Sequence, residues 1–180
     1  PLVEEYLSSI EMDADELLRA AERLKVNELP REIDVVEVTK SLVHGLQVQT
    51  PRLKIKVYPG SDVPLVNAVR SDISNALGNI IQNGIEAMHE DGCMEIHIDR
   101  HTERGKCWAR IKVIDSGPGI SPEVSARIFS PLYTTKAGHP GYGLWRARDI
   151  FRRLGGSIDY QNNLTSGVTF TILLPGYEGV

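Results

Sequence analysis

The stretch NIIQNGIEAM, residues 79–88, spaces its apolar residues for a helix yet sets amides at Asn79 and Asn83. Ile73, Leu77, Ile80, Ile81, Ile85 and Met88 fall on one side, and the periodicity predicts one long helix over about 66–89. At 100° per residue, Asn75, Asn79, Gln82, Asn83 and Glu86 then share roughly a quarter turn on the opposite side. Such a stripe reads first as a solvent face. Solvent faces, however, draw on Glu, Lys and Arg, which form helices better than Asn does. Neutral amide oxygens one turn apart suit a ligand better, because they can coordinate a hard cation or bond phosphate without adding negative charge.

Around this helix the pattern is mixed. Residues 1–29 are acidic and helix-prone, and Pro30 closes them as a segment separate from 30–180. A helix is expected over IDVVEVTKSLVHGL, with Gly45 near its end, and LKIKVY alternates as a strand before the turn PGSD. MEIHIDR and CWARIKVID read as a hairpin through TERG, in a register that sets Arg100 opposite Cys107 and Cys93 opposite Ile114. That register keeps the two thiols apart, so both read as reduced packing residues without metal-ligand spacing. A short helix follows at SPEVSARIF, with Ser121 as N-cap and Pro122 at the first position, then a loop and a helix at about 144–154 ended by Gly155 and Gly156. The strands SIDYQN and VTFTILLP complete an α+β arrangement, a mixed sheet covered by helices on one face.

Composition narrows the function. With 180 residues, 41% hydrophobic and 24% charged, the chain supports one sizeable core. A net charge of −4 argues against a nucleic-acid partner, and the arginines at 146, 148, 152 and 153 fall at the spacing of a solvated helix face. No apolar run approaches the ~18 residues of a membrane span, and the start PLVEEYLSSI has no signal pattern, which together predict a cytoplasmic chain without membrane contact. The start at Pro1, without an initiator Met, suggests a piece of a longer protein.

Two further stretches carry chemistry. In VIDSGPGI, residues 113–120, a strand ends in Asp115, and Gly117 and Gly119 let the backbone turn tightly and approach a ligand. A carboxylate there can accept from an exocyclic amine. In TTKAGHPGYGLW, residues 134–145, Gly138, Gly141 and Gly143 precede a helix and offer backbone N–H groups to an anion, with Lys136 as a mobile charge for a terminal phosphate. Lys136 precedes the glycines, so this is not a Walker loop.

In this order and at these separations, the three stretches resemble the GHKL ATPase superfamily, most closely the catalytic ATP-binding domain of bacterial sensor histidine kinases. NIIQNGIEAM is similar to the family's N box, DSGPGI to the G1 box, IFSPLYTTK to the F box and GYGLW to the G2 box, with GGSIDYQNNLTSGVTFTILLP as the closing pair of strands. The resemblance runs over about 31–175 and is strongest over 67–175. It implies the Bergerat fold, a two-layer α/β sandwich that holds ATP between helices and sheet.

Carried over by position, the resemblance makes Asn83 the Mg²⁺ ligand and Asp115 the reader of adenine, with Gly117 and Gly119 beside it and Ile120 as an apolar wall. Thr169 is expected to reach the same adenine edge, and Gly141, Tyr142, Gly143 and Leu144 to close over the phosphates with Lys136. Asn79 occupies the position where chaperone and gyrase relatives carry a water-activating Glu. An amide cannot take that proton, which favours phosphoryl transfer to a partner over hydrolysis. The implied partners are a phosphoacceptor histidine domain, a response regulator and a second copy of the parent. His139, Pro140, Tyr142 and Trp145 depart from the family's small or aliphatic lid residues, and Pro140 lacks a backbone donor. A serine kinase of the anti-sigma-factor type and a degenerate nucleotide-binding module are the alternatives. Among the five histidines only His89 precedes an acid, Glu90, and it is expected on the far side of the amide-bearing helix, remote from Asn83.

Overall fold

A computed structural model describes residues 29–89, 91–134 and 141–177. Arg31–Val180 form one compact unit. The helix expected before Pro30 falls on residues outside the described ones, apart from Leu29.

The unit opens with strand β1 (Arg31–Ile33), which pairs antiparallel with β3 (Val66–Ala68). Neither strand was expected, and β3 takes the first residues assigned by periodicity to the long helix. Helix α1 (Val35–Gln49) starts at Asp34, whose Oδ1 accepts from the backbone N–H of Val36 at 2.8 Å and of Glu37 at 3.3 Å. It runs through Gly45 instead of ending there. Strand β2 (Leu53–Pro59) lies at a sheet edge. The Gln47 amide covers part of that edge, donating to the Leu53 carbonyl at 2.6 Å and accepting from the Ile55 N–H at 3.2 Å.

The amide-bearing segment is helix α2 (Arg70–Ala87), which buries Ile73, Leu77, Ile80, Ile81 and Ile85. Full burial of each such side chain contributes roughly 1.5–3 kcal/mol relative to leaving it exposed. His89 lies beyond the helix end with φ 52°, so its expected place on the helix is corrected. Strands β4 (Gly92–Glu103) and β5 (Lys106–Asp115) form the hairpin, but Glu103 pairs with Lys106 and Thr102 with Cys107. The turn is therefore the two residues Arg104 and Gly105, with φ 51° and 76°, and the register is two residues from the expected one. Both cysteines are nevertheless free.

Helix α3 (Pro122–Ser125) is capped by Ser121 and shorter than expected. Helix α4 (Gly143–Arg153) leads to β6 (Ser157–Asn162) and β7 (Val168–Pro175). The main sheet has the order β2-β4-β5-β7-β6, with β2 and β4 parallel and every other pair antiparallel. Met94, Ile96 and Ile98 face Asp115, Val113 and Ile111 across the hairpin, and Val113 and Ile111 face Phe170 and Ile172, so these side chains share one buried face. The other face carries Glu95, His97, Asp99, Arg110 and Lys112. Arg110 there forks onto both Asp99 oxygens at 2.8 and 3.0 Å. The observed architecture is thus the expected mixed sheet with helices on one face.

Candidate nucleotide site

Helix α2 can lie close to the sheet because residue 84 has no side chain. A Cβ on Gly84 would stand 2.5 Å from Met94 Cε and 3.7 Å from Asp115 Oδ2. The carboxylate of Asp115 therefore meets the same helix that carries Asn79 and Asn83. Asp115 is only 6% exposed. Its Oδ1 accepts from the N–H of Gly117 at 2.9 Å and of Val168 at 3.2 Å. Burial pushes the carboxyl pKa above the ordinary aspartate value, and the two backbone bonds oppose that rise without cancelling it. A Cβ on Gly117 would come within 3.0 Å of Oδ1, so the glycine keeps space open around this acceptor.

Gly167, φ +85°, allows a still closer approach, since a Cβ there would fall 1.8 Å from the Asp115 carbonyl oxygen. Gly119, φ +87°, turns the chain toward Ile120, which is half-buried and packs on the core. Asp115, Gly117, Gly119 and Ile120 thereby lie together at the end of β5.

At the other end of the amide pair, a Cβ on Gly143 would lie 3.7 Å from Asn79 Oδ1. The first turn of α4 thus sits against Asn79. Tyr142 caps α4 and meets the Trp145 ring edge-on at 6.2 Å, while Leu144 packs on the core. Gly141, φ +76°, lies against the backbone of Leu132 and Tyr133, where a Cβ would come within 2.8 Å. Asn79 and Asn83 are half-buried, whereas Gln82 is exposed and donates to Glu86 at 2.9 Å. Lys136, Gly138, His139 and Pro140 lie outside the described residues.

Thr169 does not join this group. It pairs with Ile114, one residue out of step with Asp115, and strand alternation sends its side chain to the opposite face. Its hydroxyl donates to Asn163 Oδ1 at 2.7 Å. The β7 side chain on the Asp115 face is Val168. Sequence reading also missed Gly84, Gly167, Asn162 and Asn163, although the adjacent amides after SIDYQ and the glycine before VTFTILLP were visible signals.

The donor set fits a nucleotide: a buried acceptor at one end of α2, half-buried amides along it and a helix N-terminus against Asn79. Among the described residues no cluster of three or more His, Cys, Asp or Glu could hold a metal by itself. The amide oxygen of Asn83 is compatible with Mg²⁺, a hard cation that takes oxygen ligands and is held largely by substrate phosphates and water. No described helix is long and apolar enough to cross a membrane.

Residues 68–178 match the family model described as histidine kinase-, DNA gyrase B- and HSP90-like ATPase. The C4-dicarboxylate transport sensor protein DctS of Rhodobacter capsulatus is 31% identical over 80% of this chain and 23% of its own length. The sensor protein CitS of Bacillus subtilis is 36% identical over 58% of this chain and 19% of its own length. The chain thus spans about a fifth of these relatives. The catalytic domain of the histidine kinase ThkA superposes with a TM-score of 0.70 at 30% identity, covering 82% of this chain and 95% of that one. The chain belongs to the histidine kinase-, DNA gyrase B- and HSP90-like ATPase family and is a catalytic ATP-binding domain of the sensor histidine kinase type.

Proposed function

We propose that this domain binds ATP with Mg²⁺ and donates the γ-phosphoryl group to a histidine outside this chain. The observation that carries the reading is the buried Asp115 carboxylate, held through Oδ1 by two backbone N–H groups and set against the helix that bears Asn79 and Asn83. With Oδ1 engaged, Oδ2 is the acceptor for the exocyclic amine of adenine, and Ile120 supplies an apolar wall. The phosphates are read as extending along α2 toward Gly141 and Gly143, and Lys136 is proposed as a charge for the terminal phosphate. Asn83 would hold Mg²⁺, which would supply neutralisation of phosphate charge.

In the transfer, the bond between the γ-phosphorus and the β–γ bridging oxygen breaks while a bond to an imidazole nitrogen forms, and ADP leaves. Positioning and charge stabilisation are the chain's contribution. The Asn79 amide is not a general base, so water is not activated there and the phosphoryl group passes to the partner. This domain is read as cytoplasmic and as part of a homodimeric parent that passes the phosphoryl group on to a response regulator.

Incubation with γ-labelled ATP tests the reading. The isolated chain is expected to stay unlabelled, because His89 lies past the end of α2 and is not presented on an acceptor helix. Adding a histidine-bearing helical domain of the parent should yield acid-labile phosphate. Acid-stable phosphate on a serine of a partner would instead support the anti-sigma-factor type of kinase, and stable labelling of His89 would refute the site assignment.

A further inference from the structure

The loop that follows Asp115 is suspended at both ends from the last hairpin. At its start, Asn163 Nδ2 reaches the Asp115 carbonyl at 3.5 Å while its Oδ1 accepts from Thr169. At its end, Asn162 Oδ1 accepts from the Ile120 N–H at 2.8 Å, and Asn162 Nδ2 donates to the Ile120 carbonyl, also at 2.8 Å. One amide thereby satisfies both backbone groups of one residue, as a neighbouring strand would. Forty-two residues of sequence separate the two partners. Gly119, immediately before, is left-handed, and a Cβ on it would lie 3.3 Å from Asn162 Oδ1, so the clamp closes directly over the turn.

We infer that Asn162 is a positioning residue for nucleotide recognition: it fixes Gly119 and Ile120 against the base while touching no ligand itself. The inference rests on the adenine reading of Asp115 and Ile120. Its chemistry is specific to an amide. A carboxylate at 162 would set a second acceptor against the Ile120 carbonyl, and that repulsion drives the side chain out of the clamp, so the Ile120 N–H is released as well. A serine has a single, shorter-reaching oxygen, which cannot occupy the positions of both Oδ1 and Nδ2. Asn162 is exposed and its side chain is not one of the core side chains, so its replacement acts on the loop and not on the hydrophobic packing.

The test is calorimetric titration of the whole chain with a non-hydrolysable ATP analogue and Mg²⁺ for the wild type, Asn162→Asp and Asn162→Ser, with amide exchange followed by NMR. Loss of one neutral hydrogen bond corresponds to about a three- to tenfold weaker affinity. Asn162→Asp is expected to weaken binding by at least that factor, with Asn162→Ser between it and the wild type. Exchange at the Ile120 amide should accelerate in Asn162→Asp while the Gly117 and Val168 amides keep their protection. A folded Asn162→Asp chain that binds the analogue like the wild type, or keeps Ile120 protected, overturns the inference. So does a fall in protection at all three amides together, which would mark a general loosening. Failure of the wild-type chain to bind the analogue overturns the nucleotide reading itself, and this inference with it.

Discussion

Asp115→Asn separates recognition from stability. The asparagine is nearly isosteric, and its Oδ1 can keep the bonds from Gly117 and Val168, which lie at 2.9 and 3.2 Å. Its amide nitrogen then takes the place of Oδ2 and points a donor at an amine donor. A hydrogen bond to a charged group contributes about 1.5–3 kcal/mol, and a donor left facing a donor adds a desolvation cost, so ATP affinity should fall at least about tenfold and up to several hundredfold. The fold should not suffer in parallel. Because burial raises the folded-state pKa, Asp115 assists folding when protonated, below its unfolded value, and that assistance is lost as pH rises through the raised folded value. At neutral pH the ionised carboxylate is thus a cost that the neutral amide avoids, and the variant should melt no lower than the wild type. Wild-type affinity for ATP should itself decline as acidification protonates Asp115, starting above the usual aspartate range, whereas the variant should show no such decline from this site. Titration calorimetry with a non-hydrolysable analogue between pH 5 and 8, paired with thermal melts, measures both quantities. Lys136→Ala, which removes one charge, should cost less. Wild-type affinity in Asp115→Asn would refute the adenine assignment, and an equal loss of affinity and stability would refute the separation.

Gly167→Ala and Gly105→Ala impose similar backbone strain, at φ +85° and +76°, but only the first drives a Cβ into a carbonyl oxygen, that of Asp115 at 1.8 Å. Denaturant unfolding should show a loss of about 1–2 kcal/mol for Gly105→Ala and distinctly more, at least about 3 kcal/mol, for Gly167→Ala. Equal losses would mean that Gly167 does not press against the Asp115 carbonyl. Trp145, on the first turn of α4 beside Tyr142, should change its emission when Mg²⁺ and an ATP analogue are added. The change should vanish in Trp145→Phe and persist in Trp108→Phe, and an unchanged spectrum at saturation would show that nucleotide does not reorganise this end of the site.

What the sequence revealed follows the range of its signals. The long apolar stripe of α2 and the alternation of β4, β5 and β7 extend over enough residues to fix element type and buried face. Three-residue strands such as β1 and β3 have no measurable period, and Val69, which precedes α2, makes no side-chain cap that would mark where the helix starts. Val66 therefore reads from the sequence as part of the helix, although it lies in β3. The hairpin register failed because Arg104 adopts a positive φ that an arginine does not advertise. The misassignment of Thr169 was one of parity: a one-residue offset in a strand reverses the face, and only the pairing with Ile114 reveals it. At the site, residues tied to a motif were legible. Asn162 and Gly167 act across 42 and more residues of separation, where no local pattern links cause to partner.

The bond from Val168 to Asp115 spans 53 residues and joins the middle strand of the sheet to the last one. During synthesis the helices α1 and α2 and the β4–β5 hairpin emerge first, and they can collapse on local contacts before β7 exists. Closing a loop of this length is slow relative to local pairing. The buried carboxylate acquires its second donor only when the final strand zips onto β5, so nucleotide competence arrives as one of the last events of folding. Until then the growing chain presents an unpaired β5 edge and part of an apolar sheet face, the kind of surface that recruits chaperones or a second nascent chain.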